Sequence, residues 1–415
     1  MAQIHIQPMK THFFRLFTTT SFSAITALAL VTSSCRRDEE ESIDPNIPCT
    51  EINTATVWED RGEGIDYILN CDLVVSAKLT IAPGVVIQCA NNSSITIQSN
   101  GAIVAAGTAS APIVFQGSTA QAGVWQGLYI KSNSPENELR YCVISHTGST
   151  SFDGNTDIKA AIRLRQTSLV KIINTTIGKS AKDGIYIEGL DTDSQNPISV
   201  YQANSISECG RYPLNILGAA AAALDGTGSN YTSNAEQYIH IRGGRLYGDH
   251  IWLKTAIPYH IEQIVSAGYY GDYGNLTVNP GATIHFAGDA GLCTGDYSTG
   301  SWMRIVGTVD ERITLTGEAQ LPGAWKGIAF QSERPENAIQ FADISFGGSS
   351  SFTGSTNQKG NIRAGSWSAG SFTIADATVS GSVAYGIYAT MSSPEITLPG
   401  SVVFSNNASG NYFHE

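Results

Sequence analysis

Cleaving a glycosidic bond takes two carboxyl groups held about 5–9.5 Å apart, and Asp191-Thr192-Asp193 offers a spaced acidic pair. The pair lies in a Ser-, Asn- and Pro-containing stretch ahead of Pro197, where Asp side chains ordinarily close turns by bonding to nearby backbone. Lys159 and Arg163 recur as Lys359 and Arg363, and a Lys-x-x-x-Arg pair could grip a carboxylate ligand. Arg163 stands between Ile162 and Leu164, both expected to point inward, so it should face outward and pair with Glu136, itself repeated as Glu336. Such repetition suits a scaffold better than a single active site. For stacking on a sugar ring the best placed side chains are Tyr269, Tyr270, Asp272 and Tyr273, with Asp296-Tyr297 beside them. The plainer role for these aromatics is to cover a loop. Trp125 and Trp325, in Gly-x-Trp-x-Gly turns, read as packing plugs. Asn137 and Asn337 read as turn residues whose amides stack between neighbouring coils. The eight histidines are scattered, and none is assigned a role. No catalytic set is assigned, and neither a metal nor a cofactor is implied.

Six cysteines follow Cys35: Cys49, Cys71, Cys89, Cys142, Cys209 and Cys293. None forms Cys-x-x-Cys or has a histidine at ligand spacing, which argues against zinc. Cys71 is 22 residues from Cys49 and 18 from Cys89, each near the length of one coil of a stacked structure. Residues one coil apart lie ~4.8 Å from each other, inside the reach of a disulfide. Cys71 is therefore expected to pair with Cys49 or with Cys89 and to lock the N-terminal end. Cys142, aligned with Ala342, reads as an inert buried thiol.

What must position these residues is a duplicated scaffold. From Ser132 to Arg163 against Ser332 to Arg363, 15 of 32 positions are identical without a gap. Flanking landmarks repeat too, among them Trp125/Gly127 with Trp325/Gly327 and Gly184-Ile185-Tyr186 with Gly386-Ile387-Tyr388. Inside each copy, short segments such as Leu79-Thr80-Ile81, Ile113-Val114-Phe115 and Ile162-Arg163-Leu164 alternate apolar residues with the period of a half-buried strand. Ala82-Pro83-Gly84, Ser99-Asn100-Gly101 and Asp153-Gly154-Asn155 supply the turns. No segment sustains a helical stripe; Leu217 to Leu224 comes nearest and is too short to stand alone. Strands this short bury an apolar face only when coiled one above another, so the fold class is all-β, a solenoid. Coils of about 20–25 residues would build a rod on the order of 70 Å.

The motif order resembles that of right-handed parallel β-helix repeats in bacterial surface proteins of the pectate-lyase-like superfamily. A Leu-Thr-x-x-Pro-Gly coil stands at Leu79–Gly84 and, as Leu276-Thr277-Val278-Asn279-Pro280-Gly281, in the second copy. A Trp-x-Gly coil follows at Trp125–Ile130 and Trp325–Phe330, then an Asn-initiated coil at Asn137–Ile144 and Asn337–Ile344. The resemblance covers roughly residues 50–415 and implies the fold, a single-stranded β-solenoid of two tandem copies of a unit of about 150 residues. The known enzymes of this fold carry stacked Asn-Thr-Asp, Asp-Asp and Gly-His-Gly sets followed by Arg-Ile-Lys, or an Arg-x-Pro-x-x-Arg signature. None of these is present.

Lys10, Arg15 and the apolar run Leu16–Val31 make a secretory signal peptide ending at Cys35. This resembles a bacterial lipoprotein signal, which implies lipidation of Cys35, although Thr32 and Ser34 stand where Leu and then Gly or Ala are usual. Arg36-Arg37-Asp38-Glu39-Glu40-Glu41 resembles the surface-export stretch of Bacteroidota-type lipoproteins, or serves as a solvated tether. The expected organisation is a signal peptide over 1–34, a tether over 35–50, copy one over 51–216, connecting coils over 217–262 with a loop at Asp225–Asn234, and copy two over 263–415. Loss of Lys10 and Arg15 takes the net charge from −12 to −14. An acidic chain without a basic stripe disfavours nucleic acid and polyanionic substrates. The expectation is a monomeric, non-catalytic, lipid-anchored rod on the outer membrane, at the cell surface or otherwise on the periplasmic face, that serves adhesion or binds a polysaccharide or cell-surface glycan. A polysaccharide lyase or glycoside hydrolase with a non-standard site on the β-helix face is the alternative.

Overall fold

Among the described residues of the computed structural model, every pair of hydrogen-bonded strands is parallel and joins residues one coil apart, as in the pairing of Thr56 with Leu79 and of Leu79 with Ile103. Residues 44–154, 158–189, 195–295, 300–352, 357–365 and 368–415 are described. Pro45–Glu415 is one compact unit; the other, Met1–Asp44, lies almost wholly outside the described residues. The strands stack into parallel sheets of six, seven, thirteen, seven and five strands. The thirteen-stranded sheet runs from Asp72–Val75 to Val403–Ser405 and so crosses both repeats. The six- and seven-stranded sheets that flank it in the first half end at Ile198–Gln202 and Asn230–Thr232. Their successors begin at Gly244–Leu246 and Gly248–Trp252. The chain is an all-β parallel β-helix, as its strand pattern requires.

Alternation explains the core. Along the long sheet Leu128 and Ile130, Ile162 and Leu164, Ile185 and Ile187, and Ile239 and Ile241 are fully buried. The residue between each pair faces away from the core. Coils range from 20 residues, between His240 and His260, to 36, between Gly291 and Gly327. That exceeds the expected 20–25, because loops such as the one between Ser145 and Ala160 are spliced into the turns. Thirteen rungs at ~4.8 Å give roughly 60 Å rather than 70 Å.

The connecting region departs from the sequence reading in two places. Gly218–Ala223, the Ala run, is a 3-10 helix packed between Ile198–Gln202 below and Gly244–Leu246 with Gly248–Trp252 above. Tertiary packing supports a helix that propensity alone would not. Small buried Ala219, Ala220 and Ala221 let it occupy the place of a strand, which is why the flanking sheets break there. Asp225–Asn234, expected as a loop, contains a 3-10 turn at Gly226–Gly228 and the strand Asn230–Thr232.

These inserted rungs shift the second copy by one face. Gly127–Ile130 lies in the long sheet, yet its counterpart Gly327–Phe330 lies in the second seven-stranded sheet. Conversely Ala342–Ser345 lies in the long sheet, while its counterpart Cys142–Ser145 does not.

Repeated residues do the fastening. The Trp125 and Trp325 indoles are fully buried and donate to the Ser145 and Ser345 carbonyls at 2.8 and 2.7 Å. Gly127 and Gly327 follow because φ is +121° and +110° and an added Cβ would meet a carbonyl oxygen at 2.5 Å. Asn137 Oδ1 accepts from the Ile103 N–H at 3.0 Å, while Nδ2 donates to the Ser132 and Leu169 carbonyls at 3.0 and 2.9 Å. Asn337 repeats the pattern with Met303, Ser332 and Ser371. Each amide thus ties a coil to the ones below and above it. Cys71 is joined to Cys49, with Cα atoms 5.8 Å apart, and Cys89 is a buried free thiol.

Asn137→Ala removes three buried hydrogen bonds and should lower the unfolding free energy by about 2–3 kcal/mol. Urea titration is the check, and a loss below about 0.5 kcal/mol would contradict the bridging role.

Candidate functional site

One column of outward residues runs up the long sheet. In register order it reads Thr96, Tyr129, Arg163, Tyr186, Asn215, His240, His260, His285, Thr316 and Ser345. Its middle is polar and aromatic, and most of it is shielded: Arg163 is 4%, His240 5% and His260 7% exposed.

Arg163 does face away from the core, but not into solvent. The expected Glu136 partner is elsewhere, paired with Lys78 at 2.6 Å on an exposed surface. Arg163 instead bonds Asp153 at 2.6 Å and also contacts Glu188. Glu188 accepts from the Tyr129 hydroxyl at 2.8 Å, and the guanidinium lies 4.9 Å from the Tyr129 ring. Phe152, from the loop between Ser145 and Ala160, packs 5.1 Å from that ring. Lys159 donates to the Ser149 carbonyl at 3.0 Å, so it fastens the loop that roofs the arginine. That roof is what the sequence reading lacked. In the second copy Arg363 is equally buried and bonds Gln358 at 2.5 Å, but Ala329 replaces Tyr129 and the patch faces a different side.

Higher on the column, Asp183 is fully buried and accepts from Arg211 Nε at 2.7 Å and Asn215 Nδ2 at 3.0 Å. Arg242 donates to Asn215 Oδ1 at 2.9 Å and lies 4.4 Å over Tyr186. Above them His240 Nδ1 and His260 Nδ1 stand 3.2 Å apart. Each ring's Nε2 meets a half-exposed carboxylate, Glu262 at 3.1 Å and Glu318 at 3.2 Å. Tyr212 stacks on His240 at 4.2 Å, and Tyr238 leans on His260 and His285 at 5.4 and 5.5 Å. Burial and then the neighbouring His260 press the His240 pKa down to about 3. Burial and His260 likewise lower that of His285.

No sequence motif announced this histidine ladder, but a signal exists. Ile239-His240-Ile241, Tyr259-His260-Ile261 and Ile284-His285-Phe286 each centre a histidine between inward residues, at spacings of 20 and 25 that equal the coil length.

The tyrosine group lies at another corner, between Ile264–Ala267 and Gly274–Val278. Tyr269 and Asp272 close a tight turn by mutual backbone hydrogen bonds of 3.0 and 3.2 Å. Arg245 sits 3.6 Å over the Tyr269 ring, and Tyr269 packs 5.2 Å from Tyr270. Tyr270 and Tyr273 project outward, 70% and 60% exposed. A cleft of about 420 Å³ lies apart from both groups, lined by Arg334, Phe372, Glu395 and Ile396 among others. Cys35, Asp191, Asp193, Asp296 and Tyr297 lie outside the described residues. Among the described residues, no three His, Cys, Asp or Glu side chains converge as a metal-binding group.

Residues 51–165 match the pectate-lyase-like β-helix domain. The matched stretch contains Tyr129 and Arg163 but stops short of the histidine ladder and the tyrosine turn. No curated protein and no solved structure matches the chain.

Arg163→Leu leaves Glu188 and the loop residue Asp153 without their cation and should cost about 2–4 kcal/mol, discounted for the partial exposure of Asp153. Lys78→Ala, which removes an exposed pair, should cost less than about 1 kcal/mol. Equal losses in urea titrations of the two variants would contradict the buried network.

Proposed function

We propose that the chain is a carbohydrate-binding β-solenoid, displayed at the cell surface by a lipid on Cys35, with Tyr270 and Tyr273 as its sugar-stacking side chains. The observation that carries the reading is the pairing of two highly exposed aromatic rings with a rigid support. The turn is closed by backbone hydrogen bonds, and Arg245 pins Tyr269 beneath Tyr270. Exposed aromatic rings held at low entropic cost are what stacking on a sugar face requires. The β-helix domain match supports a carbohydrate-related role, and the apolar run ahead of Cys35 supports lipid anchoring. Arg163 and Arg211 are matched by Asp153, Glu188 and Asp183, which supports a neutral or weakly charged glycan as the ligand rather than a polyanion.

A catalytic reading has one specific support, the Glu262–His240–His260–Glu318 chain on the long sheet, which joins acids and bases at hydrogen-bond distance.

Affinity electrophoresis on a panel of neutral and acidic polysaccharides, with release of reducing and unsaturated ends recorded in parallel, separates the two. Retardation by a neutral glycan is expected without product, reduced roughly 5–150-fold in Tyr270→Ala/Tyr273→Ala, with each stacked ring worth about 0.5–1.5 kcal/mol. Unchanged retardation in that variant would remove the tyrosine turn from the account, and product release would favour the catalytic reading. Metabolic labelling with palmitate should mark the wild-type chain and not Cys35→Ser.

A further inference from the structure

The histidine ladder carries a different kind of site. We propose that His240 and His260 bind a first-row divalent transition metal of the Cu²⁺, Ni²⁺ or Zn²⁺ type through their Nδ1 atoms. Two nitrogens bound to one ion at ~2.0–2.1 Å, with angles of about 90–110°, stand roughly 2.9–3.4 Å from each other. The two Nδ1 atoms are 3.2 Å apart. They come from directly paired positions on adjacent rungs, so the backbone ladder fixes their spacing.

The outer shell points the same way. A metal-ligating imidazole almost always gives its other N–H to a carboxylate, carbonyl or water, which fixes the tautomer and raises ligand basicity. His240 Nε2 meets Glu262 at 3.1 Å and His260 Nε2 meets Glu318 at 3.2 Å, so each ring has a carboxylate opposite the proposed metal side. Both carboxylates are about half exposed and can hold those N–H protons without being buried charges themselves. Tyr212, stacked on His240, and Tyr238, packed against His260, help hold the two rings in place.

Two imidazoles leave the remaining positions to water or a ligand, and this donor set selects the ion. Imidazole suits copper, nickel and zinc, whereas Ca²⁺ and Mg²⁺ demand oxygen cages. The site lies on the rungs where the two repeats join, so the bound ion would clamp adjacent coils.

The test is isothermal titration of the untagged chain with Cu²⁺, Ni²⁺ and Zn²⁺ separately, and with Ca²⁺ and Mg²⁺ as contrasts. Thermal unfolding with and without each ion accompanies it, as does Cu²⁺ electron paramagnetic resonance. The expected result is one equivalent of Cu²⁺ with hyperfine coupling to two imidazole nitrogens, and a rise in Tm on binding. Binding should be lost in His260→Ala and weakened ~10–100-fold in Glu318→Gln and Glu262→Gln. The carboxamide variants alter half-exposed side chains, so they report on the site even where an alanine at His260 unfolds the chain. No saturable binding, comparable binding of Ca²⁺, or affinity unchanged in both Glu262→Gln and Glu318→Gln would overturn the proposal. In that case the close Nδ1 pair is a shared-proton contact and nothing more.

Discussion

Everything in this molecule depends on parallel strand pairing between residues one coil apart. That ladder sets the ~4.8 Å rise between rungs and makes each outward position a column rather than a point. It explains why paired residues on adjacent rungs come from 20 to 36 residues apart in the sequence. Ordered asparagines reinforce it: Asn137 and Asn337 each reach a coil below and a coil above their own. The disulfide between Cys49 and Cys71 applies the same one-coil spacing at the N-terminal end.

Duplication and function have parted company on this scaffold. The two copies share Arg163 and Arg363, Trp125 and Trp325, and Asn137 and Asn337, yet the rungs around Gly218–Ala223 advance the second copy by one face. Equivalent residues therefore present to different sides. The long sheet joins the Trp-x-Gly face of the first copy to the Ile-Ser face of the second, by way of a histidine ladder that neither copy repeats. Both unusual features, the ladder and the tyrosine turn, lie at or just beyond that junction. They arose where the scaffold's repetition lapses.

The fold was legible in the sequence because alternation and turn residues are local. Leu79-Thr80-Ile81 and Ile162-Arg163-Leu164 show their strands without reference to anything distant. The interior roles of the tryptophans and asparagines were legible for the same reason: each repeats in a fixed setting. Arg163 was half legible. Its outward direction follows from its neighbours, but its shielding depends on Phe152 and Asp153 in a loop that folds back over the sheet. The histidine ladder was not seen, since three isolated histidines become a column only when coil lengths of 20 and 25 are known. Coil lengths vary because loops are spliced in, and a sequence does not state where one coil ends. The tyrosine turn was found from composition alone, whereas the pinning of Tyr269 by Arg245 comes from a strand in the preceding coil.

The central claim is that one uninterrupted sheet carries both repeats through the junction. Native-state hydrogen exchange tests it directly, amide by amide, along the long sheet. Continuous protection is predicted through Leu214–Ile216, Ile239–Ile241, Tyr259–Ile261 and Thr283–Phe286, as strong at the junction as on either side. Rapid exchange confined to residues 217–262, with two separately protected blocks flanking it, would contradict the account.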